Sequence, residues 1–159
     1  LKRLKVLADN QETGELRMNL LNKAIIIAAK MHDGQTDKGG QPYILHSMRV
    51  MQAATTEDES IVAVLHDLIE DTPHTINDLR NDGFPEHIIQ AIDCLTRRNL
   101  ETYEQFIDRI KINPLAVKVK RLDIADNMNL DRIPNPTKED YERIEKYREA
   151  LENLNGVSG

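Results

Sequence analysis

The chain has 159 residues, of which 40% are hydrophobic and 30% charged, the make-up of a folded globular protein of one domain rather than a disordered segment. A formal net charge of −6 argues against a nucleic-acid-binding face, although a local cation cluster can still serve a small anionic ligand. No apolar run approaches the roughly 18–20 residues that span a bilayer, and the mixed, charged start Leu1–Asn19 is not a signal segment. A single cysteine, Cys94, fits a reducing cytoplasm. Aromatics make up only 4% and Trp is absent, so the core must be built from Leu, Ile, Val, Ala and Met.

Nearly every segment has helical period. Apolar residues at 16, 20, 21, 24, 25, 27, 28 and 31 predict a first helix over Leu16–Met31 with a broad buried stripe. Asp33 to Pro42, with three glycines and a proline in ten residues, is a loop. Helices are then predicted over Ile44–Ala54, Glu59–Glu70 (capped by Asp58 or Thr56 and ended at Thr72-Pro73) and Thr75–Arg80, with Gly83 as a stop. Pro85 suits the first turn of Glu86–Leu95. Tyr103–Ile112 and Pro114–Leu130 follow, and Thr137 caps a last helix to about Leu154 after the rigid Ile133-Pro134-Asn135-Pro136. Val117–Lys120 alternates β-branched residues and could be argued as a strand, but its setting favours helix. The expectation is a compact all-α bundle of about seven or eight helices with a core over 16–154 and a frayed tail at 155–159.

The densest chemistry lies at Leu65-His66-Asp67-Leu68-Ile69-Glu70-Asp71-Thr72. On one continuous helix His66 would stack on Glu70, and Asp67 on Asp71, at i,i+4. Three acids this close repel one another unless a cation or solvent relieves them. An isolated His-Asp pair would be an ordinary solvated helix end, but this helix has an apolar wall. Elsewhere, His46 stands where an apolar helix leaves the glycine-rich loop, and Asp123 lies inside another largely apolar helix, where an unpaired carboxylate is unfavourable. Together His46, His66, Asp67 and Asp123 make a mixed nitrogen–oxygen donor set. Such a set suits manganese or iron, with zinc and magnesium as further alternatives, and leaves positions for water and substrate.

Gly34-Gln35, Asp37 through His46, Leu65 through Thr72, and Val119-Lys120 through Asp123 to Asn127-Met128 resemble the hydrolase domain of RelA/SpoT-type enzymes. These are HD-domain metal phosphohydrolases, and the likeness is greatest to the stand-alone small alarmone hydrolases. It runs from about Ala24 to Tyr147. The resemblance implies removal of pyrophosphate from the 3′ position of guanosine tetra- or pentaphosphate. It implies manganese on His46, His66, Asp67 and Asp123, with Glu70 and Asp71 in acid–base roles. Lys38, Asn127, Arg143 and Tyr147 match the family's substrate contacts. Read as residues alone, they are a loop lysine, a helix-surface amide, and two exposed residues near Glu139 and Glu142.

Asp37 stands where long members of the family carry an Arg against guanine, and Ile124 and Asp126 also depart from the pattern. Arg97 and Arg98 fall near the expected pocket mouth. His32, His74 and His87 have no ligand-like partner by spacing, and Cys94 reads as a small core residue. The implied partner is a small nucleotide, with no nucleic acid or membrane; spacing says nothing of oligomeric state. Two alternatives stand beside the alarmone hydrolase. One is an HD phosphohydrolase of another nucleotide, such as a nucleoside monophosphate or NADPH; the other is a non-catalytic, metal-dependent nucleotide sensor.

Overall fold

In a computed structural model that describes residues 18–156, the chain forms nine α-helical segments, one 3₁₀ turn and no named strand among the described residues. They are α1 (Leu20–Met31), α2 (Ile44–Gln52), α3 (Glu57–Leu65), α4 (Leu68–Asp71), α5 (Ile76–Asn81), α6 (Glu86–Leu95), α7 (Tyr103–Ile110), α8 (Pro114–Asn127) and α9 (Lys138–Asn155). The 3₁₀ turn, Leu130–Arg132, follows α8. Because α3 and α4 are two halves of one interrupted helix, the bundle matches the expected seven or eight. Leu16, the expected start of α1, and residues 157–159 of the expected tail lie outside the described residues.

α3 occupies the centre. Ile61, Val62, Ala63, Val64 and Leu65 are all buried, so the second half of this helix is apolar on every side, and the helix packs against α1, α2, α6 and α8. The other helices bury one face: Ala24 and Ala28 on α1, and Ile88, Ile89 and Ile92 on α6. Ends are set by local hydrogen bonds. Thr56, not Asp58, caps α3 by accepting the Glu59 N–H; Thr75, Thr102 and Thr137 each form a capping box with the residue three positions on. The Val117–Lys120 stretch is helix, opened by Pro114 behind an Asn113 cap.

Two departures bear on the site. The helix predicted to run unbroken to Glu70 stops at Leu65 and resumes at Leu68. α8 ends at Asn127, and the 3₁₀ turn takes the next residues toward the glycine-rich loop. That loop closes on itself through an isolated antiparallel bridge, Thr36 to Pro42. Gly40 turns it at φ +79°, a backbone state that residues with a Cβ rarely adopt. Gly39 presses so closely on the 3₁₀ turn that a Cβ there would come within 2.4 Å of the Arg132 carbonyl oxygen.

Candidate metal centre and nucleotide pocket

The interruption at His66–Asp67 builds the centre. On a regular helix consecutive side chains point roughly 100° apart and cannot share a target. Here Asp67 sits at φ −98°, ψ 0°, outside helical geometry, and its Oδ2 comes to 2.9 Å from His66 Nε2. The Ala63 carbonyl accepts both the His66 backbone N–H, at 3.5 Å, and its Nδ1–H, at 2.6 Å. That second bond fixes the ring.

α2 supplies His46 and α8 supplies Asp123, both nearly fully buried. His46 Nε2 lies 3.3 Å from His66 Nε2, 3.1 Å from Asp123 Oδ1 and 3.7 Å from Asp67 Oδ2. His66 Nε2 is 3.4 Å from the same Asp123 oxygen. His46 Nδ1 donates to Asp126 Oδ2 at 2.7 Å. With both Nδ1 atoms committed as donors, both Nε2 atoms turn lone pairs toward one point that also faces two carboxylate oxygens. Four electron-pair donors aimed together without a cation repel one another, so the donor chemistry fits a divalent ion.

The electrostatics agree. Burial would lower the His66 pKa, but Asp67 and Asp123 outweigh it and hold it well above the usual histidine value. Burial would raise Asp123, but Lys120 and the two histidines hold it well below the carboxylate range. Asp123 is further fixed on α8 by Lys120 Nζ at 2.8 Å to Oδ2 and by Asn127 Nδ2 donating to Oδ1 at 2.7 Å. Tyr43 donates its hydroxyl to Asp67 Oδ2.

A cavity of about 300 Å³ adjoins this centre through Tyr43 and Asn127. Its lining brings together Lys38, Asn127, Arg143 and Tyr147, drawn from the loop, α8 and α9, with Asp37 and Arg132. Arg143 pairs with Asp140, at 2.9 Å, and not with Glu139 or Glu142. The same Asp140 oxygen takes Lys38 at 3.4 Å, so the cap of α9 also anchors the loop lysine.

Glu70 and Asp71 part company. Because the helix breaks, Glu70 does not lie beneath His66 on an unbroken column; its exposed carboxylate accepts the Arg97 backbone N–H at 2.6 Å. Asp71 is pushed up to about 6, first by desolvation, then by Asp67 and Glu70. Arg97 turns its guanidinium to the Glu101 carbonyl, and Arg98 pairs with Asp93, so neither side chain lines this cavity. Asp37 accepts the Gln41 N–H at 2.9 Å, a loop-closing bond. His74 and His87 pair with Asp82 and Asp58, and His32 Nδ1 meets Gln35 Oε1 with its ring 5.2 Å from that of Tyr43.

Sequence reasoning missed Tyr43, Lys120 and Asp126 as supports of the centre. Tyr43 and Lys120 lay inside quoted motifs but carried no signal of their target, since what they touch comes from other helices. Asp126 has one signal, an acid one turn beyond Asp123 in a partly apolar helix.

No family model matches the chain. It is 29% identical over 158 residues to the GTP pyrophosphokinase of Streptomyces coelicolor, covering 89% of this chain and 17% of that protein. It is 25% identical over 120 residues to the guanosine-3′,5′-bis(diphosphate) 3′-pyrophosphohydrolase of Aquifex aeolicus, covering 68% of this chain and 17% of that protein. The chain thus spans less than a fifth of the length of these relatives. Among solved structures, a metazoan orthologue of SpoT that hydrolyses ppGpp superposes with a TM-score of 0.75 at 20% identity, over 91% of this chain and 90% of that one. In fold the chain matches that SpoT orthologue, and in sequence it is similar to one part of these longer GTP pyrophosphokinase and pyrophosphohydrolase proteins.

Proposed function

We propose that this chain is a metal-dependent hydrolase that removes pyrophosphate from the 3′ position of guanosine tetra- or pentaphosphate. The observation that carries the reading is the meeting of two imidazole Nε2 atoms and two carboxylates beside a cavity lined by Lys38, Asn127, Arg143 and Tyr147. His46, His66, Asp67 and Asp123 would hold the ion; the nitrogen–oxygen set suits manganese or iron, and the family resemblance favours manganese. When bound, such an ion lowers the pKa of water and polarises a phosphoryl oxygen.

The chain's own groups do the rest. Lys38 and Arg143 place positive charge where a polyphosphate would lie, and their shared partner Asp140 keeps both side chains aimed there. On the family pattern, and not from its place in the fold, Glu70 would take the proton of the attacking water as that water's oxygen bonds to the 3′ phosphorus. The phosphorus–O3′ bond breaks, and O3′ leaves with a proton from Asp71, whose raised pKa keeps it partly protonated near neutrality. Products are GDP (or GTP) and pyrophosphate. The setting is the cytoplasm, consistent with one free cysteine and with no described helix long and apolar enough to cross a membrane.

A second reading rests on Asp37. It lines the cavity where the family's base-stacking Arg is expected, so another nucleotide could replace guanosine there. Purified protein with Mn²⁺ and ppGpp should yield GDP and pyrophosphate in equal amounts. Turnover of other nucleotides but not ppGpp would move the assignment to the second reading. Glu70→Gln should lower kcat at least about 100-fold with metal content unchanged; full activity in that variant would remove Glu70 from the mechanism.

A further inference from the structure

Beyond the four converging donors, one carboxylate is gripped from two other elements at once. Asp126, on the last turn of α8, accepts His46 Nδ1–H on Oδ2 at 2.7 Å and Arg49 Nε–H on Oδ1 at 2.8 Å. Arg132, on the 3₁₀ turn, donates to both oxygens, at 3.2 and 3.1 Å, and to the Asp126 main-chain carbonyl at 2.9 Å. The Asp126 side chain is only 12% exposed and is not part of the cavity lining. Arg132 is part of it, and so is Gly39, whose position against the Arg132 carbonyl leaves no space for a Cβ.

We propose that Asp126 is a positioning residue that couples the ion site to the nucleotide pocket, setting His46 on one side and the Arg132–Gly39 wall on the other. The inference rests on the reading above that the cluster holds a divalent ion. Two physical steps support it. A carboxylate on Nδ1–H fixes the tautomer that turns the Nε2 lone pair inward and makes that nitrogen a better donor. The same carboxylate sits between two guanidiniums, which have no other acidic partner in the structure's described ion pairs. Removing its charge frees Arg132 and with it the turn that backs the Lys38 loop.

A purely structural tie between α2 and α8 would also use these bonds, so the test must read both ligands separately. Mn²⁺, and separately ppGpp, are titrated calorimetrically into the metal-free wild type, Asp126→Asn and Arg132→Gln, with a thermal melt of each. Asp126→Asn should weaken Mn²⁺ binding about 10–100-fold, and raising Mn²⁺ to saturation should restore most of the lost turnover. It should also weaken ppGpp in the absence of metal, although it does not line the pocket. Arg132→Gln should weaken ppGpp alone and leave Mn²⁺ affinity within about threefold.

Unchanged Mn²⁺ affinity or unchanged ppGpp affinity in folded Asp126→Asn overturns the coupling. If Asp126→Asn does not fold, the Arg132→Gln pattern decides alone, since it leaves the Asp126–His46 bond in place. Wild-type protein that takes up no Mn²⁺ overturns the parent reading as well, and is distinguishable because no variant then has an ion affinity to compare.

Discussion

Desolvation, Asp67 and Glu70 all disfavour charge on Asp71, and its carboxyl is pushed up to about 6. A carboxyl raised above its unfolded value binds protons more readily in the folded state, so stability is lost as pH climbs from about 4 through 6. Asp71→Asn removes that cost. In the metal-free protein it should add about 1 kcal/mol at pH 7, after discounting for an exposed side chain, and nothing at pH 4. The same substitution should cut turnover about 100-fold. Urea unfolding in EDTA at the two pH values checks the first effect; equal destabilisation at both would show that Asp71 is a structural residue. The cost in stability at a site needed for chemistry is the expected sign of a functional group held against its electrostatic preference.

Among the elements, the loop of residues 33–43 and the 3₁₀ turn after α8 form one unit. Gly39→Ala places a methyl within 2.4 Å of a backbone oxygen that cannot rotate away, so loop or turn must shift. We expect a loss of about 1–3 kcal/mol and a raised KM for nucleotide, with Mn²⁺ affinity kept. Melts and nucleotide titrations check this, and an unchanged KM would separate the loop from the pocket. Most elements are legible from period and punctuation: Thr137 and Pro114 mark their helix starts in sequence and do so in the fold. The break at His66–Asp67 is not. Leu68 and Ile69 continue the apolar pattern of Ile61–Leu65, so nothing local announces it. His66 instead bonds the Ala63 carbonyl and meets groups from α2 and α8, contacts that compete with helical geometry.

For the whole molecule, an ion that binds only the folded chain adds stability by mass action. Mn²⁺ at a hundredfold above its dissociation constant should add about 2.7 kcal/mol, raising Tm by roughly 5–10 °C for a chain of this size. His66→Ala should abolish that rise. Because the ion displaces protons held by His46 and His66, affinity should be higher at pH 8 than at pH 6. A Tm shift that survives His66→Ala would place the ion elsewhere. Sequence alone determined the all-α architecture and pointed to His46, His66, Asp67 and Asp123 as candidate donors, because helical period and polar residues in apolar helices are local signals. Tertiary structure decided how those side chains meet, that Glu70 turns to the Arg97 backbone, and that Asp126 is held by both His46 and Arg132. Each of these depends on side chains from α2, α4, α8 and the 3₁₀ turn reaching one point, and that distance is set by packing around α3 rather than by spacing along the chain.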